Sequence, residues 1–213
     1  MRKILLLDRE FGAGGSTLGA RLAARLGWKL FDDELTREIA RLANIPVDMC
    51  QRMEEHADPL LKRLVNIIWR GSFARNIPPP HLAILDTDRL VALTRRVVEE
   101  AADAAPCVIV GRGAPYYLHA RTDRLAVFLY GSRELKFQRV LSRVGGDPER
   151  AAEMVDTIDE DRRVFHRRYH RIEWPDRRLF HAMFDTDLGD QVVIEAILQL
   201  LLSAGDHGSG TPA

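Results

Sequence analysis

The stretch Ile4-Leu5-Leu6-Leu7-Asp8-Arg9-Glu10-Phe11-Gly12-Ala13-Gly14-Gly15-Ser16-Thr17 decides the fold. An apolar run, Ile4 to Leu7, leads into a glycine turn, and helical periodicity opens behind it from Leu18 to Leu26. That is the strand, turn and helix of a phosphate-binding loop. The unpaired amides of a helix's first turn and the positive end of its dipole hold phosphate oxygens, and glycines let the backbone approach them closely. Gly12, Ala13, Gly14, Gly15, Ser16 and Thr17 are therefore the expected nucleotide-phosphate ligands, with Ser16 or Thr17 offering a hydroxyl to magnesium. In the pattern G-x-x-x-x-G-K-[ST], Gly14 and Ser16 align well. Gly15 then stands where the lysine belongs, and Arg9 stands in place of the first glycine.

Two other readings compete for this turn. Strand-to-helix turns use glycine for steric reasons alone. A dinucleotide fold would place a ribose-binding carboxylate about 20 residues after its first glycine, and Asp32 lies there. Thr17, however, occupies the third glycine position, where close packing of helix on strand asks for a smaller residue.

Working outward, 213 residues suffice for one α/β domain with a substantial core. Lys plus Arg and Asp plus Glu number 31 each, so no global field draws the chain to nucleic acid or membrane, and neither is expected as a partner. Basic residues do cluster near residues 133 to 178. Cys50 and Cys107 are too few for a thiolate metal site or a disulfide framework, which fits a reducing cytoplasm. No stretch approaches about 18 consecutive apolar residues. Gly205 to Ala213 read as a loose tail, and oligomeric state is not legible.

Buried parallel strands are expected at Ile4 to Leu7, Cys107 to Val110 and Leu125 to Tyr130, with shorter ones at Lys29 to Phe31 and Met183 to Asp185. Helical periodicity separates them at Leu18 to Leu26, Asp88 to Ala101, Glu134 to Val144 and Gln191 to Leu202. The alternation predicts an α/β three-layer domain, a parallel sheet flanked by helices, over residues 1–204. A helical flap is expected at about 35–82, ending near Pro78-Pro79-Pro80. An arginine-rich segment at about 145–177, dense in charge and short of apolar anchors, is expected outside the sheet.

Four stretches together carry a resemblance: Arg9-Glu10-Phe11-Gly12-Ala13-Gly14-Gly15; Phe31-Asp32-Asp33-Glu34-Leu35; Val108-Ile109-Val110-Gly111-Arg112-Gly113-Ala114; and Asp159 to Asp176. In this order, over nearly the whole chain, they resemble the cytidylate kinase-like family of the P-loop kinase superfamily. The family's usual loop likewise lacks the lysine. The resemblance implies a P-loop kinase fold and phosphoryl transfer from ATP with Mg2+ to a nucleoside monophosphate, CMP or dCMP first. It also implies that Arg112, directly after a strand, and Arg37 and Asp33 hold the acceptor. Cytidylate kinases usually carry an aspartate after the Gly-Arg pair, whereas this chain has Gly113, so base preference stays open. Helix capping is the alternative role for Asp32 and Asp33, and a surface strand-end position that for Arg112.

The segment Asp159-x-x-Arg162, Phe165, Arg167, Trp174, Asp176 resembles the family's lid pattern. With Arg9 beside the loop, Arg162 and Arg167 are the expected catalytic arginines, supplying charge to the transferred phosphoryl group. A solvated helix whose arginines pair with Asp159, Glu160 and Asp161 is the alternative. His166, His170 and His181 show no metal-ligand spacing, and Trp69 and Trp174 read as packing residues. A nucleotide-binding regulatory protein without catalysis, and a kinase for another small acceptor, are the other functional readings.

Overall fold

A computed structural model describes residues 2–42 and 87–203. Five strands form one parallel sheet in the order β2-β3-β1-β4-β5: β1 Ile4–Arg9, β2 Lys29–Phe31, β3 Cys107–Val110, β4 Arg124–Tyr130 and β5 Ala182–Asp185. β1 is central and buried along its length, pairing Ile4 with Cys107 on one side and with Arg124 on the other. A strand covered on both faces needs a continuous apolar run rather than an alternating one. All five expected strands are present.

Successive side chains of β1 serve the two faces. Leu5 and Leu7 pack with Leu18 and Leu22 of α1 (Gly15–Leu26) and with Val193, Ile194 and Ile197 of α7 (Asp190–Ser203). Ile4 and Leu6 pack with Leu35 and Ile39 of α2 (Asp33–Leu42) and with Leu90 and Val98 of α3 (Thr87–Asp103). The three layers are therefore those expected. A short helix, α4 (Ala114–Tyr117), follows β3.

Beyond the carboxyl end of β1 lies a third cluster, in which Phe11 meets Val140 of α5 (Arg133–Arg143) and Ala151, Met154, Val155 and Ile158 of α6 (Pro148–Phe165). Ser132 caps α5 by accepting from the Leu135 amide, and Asp147 caps α6 by accepting from Arg150. The expectation that this segment is short of apolar anchors is corrected here. Its apolar residues fall at helical spacing on one face, which the density of charge on the other face conceals. The expected flap beyond Leu42, including Trp69, and the tail at 205–213 lie outside the described residues. Among the described residues, no helix is long and apolar enough to cross a membrane.

Candidate functional site: a buried guanidinium beside the glycine loop

Gly12 and Gly14 hold φ of 85° and 88°, the left-handed region that favours glycine. Gly14 is the residue that opens α1, and the first bond back along the helix runs from the Leu18 amide to the Gly14 carbonyl, 2.9 Å. The amides before Leu18 thus have no intrahelical acceptor and face the turn. Ser16 is half-buried in this first turn. Thr17 is exposed, and its hydroxyl accepts from Arg143 Nη2 at 2.9 Å, so Ser16 is the better placed of the two expected magnesium hydroxyls.

Gly15 has a different reason for lacking a side chain. A Cβ there would stand 2.9 Å from Cγ of Arg9, whose stem runs alongside the loop. The guanidinium then lies against Gly111 after β3, where an added Cβ would collide with Nη1. Arg9 therefore occupies the path that a lysine at position 15 would take, and it spans the gap between the glycine loop and the end of β3. It is 5% exposed. Asp8 Oδ1 lies 4.0 Å from Nη1, and Nη2 is buried without a hydrogen-bond partner. Burial, with Arg162 next in importance, pushes the Arg9 pKa down to about 10, which leaves it protonated at neutral pH.

Arg162, equally buried at 3% exposure, is satisfied. Its Nη1 donates to the Arg9 carbonyl and to Asp159 Oδ1, both at 2.8 Å. Asp159 in turn accepts from the Phe11 amide at 2.9 and 3.1 Å. Trp174 lies under the guanidinium, 5.5 Å from ring centroid to Cζ, and its Nε1 donates to Asp8 at 3.1 Å. The D-x-x-R pair is therefore a clamp that fixes α6 to the backbone on both sides of Glu10.

Arg112 has φ 58°, between Gly111 at 69° and Gly113 at 67°. A non-glycine residue held left-handed is uncommon, and the turn aims the side chain back toward α2. Nη2 donates to Thr36 Oγ1, while Nε is buried without a partner. In the same region Asp32 Oδ1 and Asp33 Oδ1 are buried without partners, so neither oxygen caps α2. Burial, then Asp32, raises the Asp33 pKa, against the opposing charges of Arg112, Arg37 and Arg9. Arg37 is exposed on α2.

The structure thus brings Arg9, Arg112, Asp33 and the loop together, with Arg162 behind them. Arg167 stands apart. It is exposed and donates to both carboxylate oxygens of Glu173, at 2.9 and 2.7 Å, while Arg163 pairs with Glu160 at 2.9 Å. Three basic residues escaped the sequence reading. Lys136 donates to Glu10 at 2.7 Å, Arg139 reaches Thr186 and Asp190 at 3.0 and 2.6 Å beside Gly14, and Arg143 reaches Thr17. Their three- and four-residue spacing on one face of α5 was the available signal. His166 and His170 lie on a π-helical turn after α6, and burial pushes their pKa values down to about 4 and about 3, so both are neutral.

No curated protein matches the chain. Among solved structures it is similar to an uncharacterized protein from Eubacterium ventriosum (20% identity, TM-score 0.65, 94% of this chain and 98% of that one). It is also similar to shikimate kinase from Acinetobacter baumannii (18%, TM-score 0.52, 96% and 95%) and to a gluconokinase from Sinorhizobium meliloti (15%, TM-score 0.54, 97% and 100%). At these identities the likeness shows a shared P-loop kinase fold. The model of the cytidylate kinase-like family matches residues 4–188, which include all five strands of the sheet and the site, and the chain belongs to that family.

Proposed function

We propose that the chain transfers the terminal phosphoryl group of ATP to a small acceptor seated between Arg112 and the first turn of α2. The observation that carries this reading is the unpartnered Nη2 of Arg9, a buried cation lying along Gly15 where the loop lysine is missing. A buried donor without an acceptor is costly, and a phosphate oxygen would complete it. The amides of Gly12 and of Gly14 to Thr17 hold the donor phosphates, that of Ala13 being bonded to the Glu10 carbonyl, and Arg9 supplies the charge that a lysine would otherwise supply. Ser16 offers a hard hydroxyl oxygen to Mg2+, which when bound neutralises charge between the phosphates. The clamp of Asp159 and Arg162 holds the Arg9 carbonyl and the Phe11 amide still, so that positioning precedes the reaction.

Nucleoside monophosphates, CMP and dCMP first, are the acceptors that the family suggests. The buried, unpartnered oxygens of Asp32 and Asp33 accept from hydroxyl groups, which the ribose of a nucleoside monophosphate and a small hydroxylated molecule, the second class, both offer. Calorimetric titration with MgATP, beside a coupled ADP-release assay over CMP, dCMP, UMP, AMP and hydroxylated acceptors, tests the reading. ATP binding with acceptor-stimulated ADP release is expected. ATP binding with no turnover on any acceptor would favour a regulatory role, and binding of a nicotinamide nucleotide in place of ATP would overturn the proposal.

A further inference from the structure

Resting on the donor-site reading, we infer that Lys136 binds the terminal phosphate of the donor, giving up Glu10 to do so, and that this exchange lets the site tell a nucleoside triphosphate from the diphosphate. Placement is the first ground. α5 lies so close to the loop that a Cβ on Gly12 would stand 2.9 Å from the Lys136 carbonyl oxygen and 3.0 Å from its Cβ. From that contact the side chain runs to Glu10, where Nζ donates to Oε2 at 2.7 Å. The ammonium is therefore held at the residue that follows Arg9, the end of the loop where Arg9 meets the donor's terminal phosphates.

The state of this ion pair is the second ground. An ammonium carries three donors, and among the described residues Lys136 uses one, on Glu10. The other carboxylates in its reach are engaged elsewhere. Asp159, 4.0 Å away, holds Arg162 and the Phe11 amide, and Asp156 holds Arg133 at 2.7 Å. The side chains of Glu10 and Lys136 are 23% and 13% exposed, against 6% and 4% for Asp159 and Arg162. A pair of flexible side chains joined by one bond and open to water adds little to the fold and separates at small cost. Nor is it needed as a brace, because Phe11 already fastens α5 and α6 through the apolar cluster with Val140 and through Asp159. Arg139, one turn further along α5, lacks this freedom, since both Thr186 and Asp190 hold it.

Glu10 is thus an internal competitor of the donor for Lys136. A terminal phosphate carries more charge and more acceptor oxygens than a carboxylate, so it wins the ammonium, and the released Glu10 turns to the water that it already touches. A diphosphate brings no phosphate to this end of the loop, and Glu10 keeps its partner. After transfer the same carboxylate takes Lys136 back, which favours departure of ADP.

The test is calorimetric titration of the full chain with MgATP and with MgADP, on the wild-type protein, Lys136→Met and Glu10→Gln. Lys136→Met should weaken MgATP about 10-fold and leave MgADP within about twofold. Glu10→Gln should do the reverse, tightening MgATP severalfold with MgADP unchanged, and Lys136→Arg should keep the preference for MgATP. Opposite signs are the mark of competition, because a pair that only braced α5 would weaken both nucleotides in both variants. Equal losses in Lys136→Met and Glu10→Gln, or an unmoved ratio of ATP to ADP affinity, overturn the inference. Should Lys136→Met fail to fold, Glu10→Gln decides alone by whether that ratio rises. A wild-type protein that binds neither nucleotide overturns the donor-site reading and this inference together, whereas wild-type ATP binding with an unmoved ratio overturns this inference only.

Discussion

Arg162 and Arg9 are buried to nearly the same degree, 3% and 5% exposed, yet one is bonded to Asp159 and to a backbone carbonyl while the other keeps a buried nitrogen with no partner. The first belongs to a clamp, the second to a crevice shared with Arg112, Asp32 and Asp33. Satisfaction of hydrogen bonds, and not burial or charge, separates these two arginines, although Arg124, His166 and His170 also keep a buried unpartnered nitrogen away from the loop. A buried pair is destabilised when one member is removed, because the other is left alone. Arg9 has a looser charge partner, Asp8 at 4.0 Å, and one nitrogen left unbonded, so it contributes less to the fold than Arg162 and is retained for what it binds.

The largest expected effect therefore falls on the clamp. Arg162→Ala removes the close ion-pair partner of buried Asp159, leaving it the Phe11 amide and Lys136 at 4.0 Å, and should cost about 3 kcal/mol in urea unfolding; a loss no greater than that of a surface variant would break the distinction. Arg9→Ala should behave oppositely, lowering turnover about 100- to 1,000-fold while the Tm holds or rises. Because Arg9 and a side chain at position 15 exclude each other, Gly15→Lys alone should also be impaired, and the double variant Arg9→Ala with Gly15→Lys should recover part of the activity. Gly111→Ala sharpens the same point, since its Cβ would displace the Arg9 guanidinium and strain a residue at φ 69°. Its turnover should fall toward that of Arg9→Ala with ATP affinity weakened as well.

A smaller effect concerns the histidines behind the clamp. His166 faces Asp8 and Arg162, and His170 faces His166. Their folded pKa values, about 4 and about 3, lie below the unfolded value of about 6.5. The unfolded chain therefore binds more protons, and the stability they contribute is present in full above about pH 6.5 and declines as pH falls toward 4. Urea midpoints across that range should show the decline, and His166→Gln should flatten it. Smallest of all is Arg133→Ala, which breaks the exposed pair between α5 and α6 with Asp156 and should leave the urea midpoint in place.

The sheet was legible because each strand is a short apolar run between turn residues, as at Cys107 to Val110, and local pattern suffices for that. The loop was legible for the same reason, since Gly12 and Gly14 sit where positive φ is needed. What could not be read were pairings across the chain. Asp159 and Arg162 were recognisable as a pair, but their targets lie 148 and 153 residues away at Phe11 and Arg9. Spacing distributes arginines around α6 and cannot say that Arg162 turns inward while Arg163 and Arg167 find Glu160 and Glu173. Nor does composition reveal that Gly15 is small to admit Arg9, a contact that exists only once β1 and α1 are packed.

The central claim is that Arg9 replaces the loop lysine. A crystal structure of the protein with a non-hydrolysable ATP analogue and Mg2+ tests it most directly. The account predicts phosphate oxygens on amides of the loop from Gly14 to Thr17, with Arg9 Nη2 within about 3 Å of the terminal pair of phosphates. Phosphates lodged elsewhere, or seated in the loop with Arg9 Nη2 still unpartnered, would contradict it.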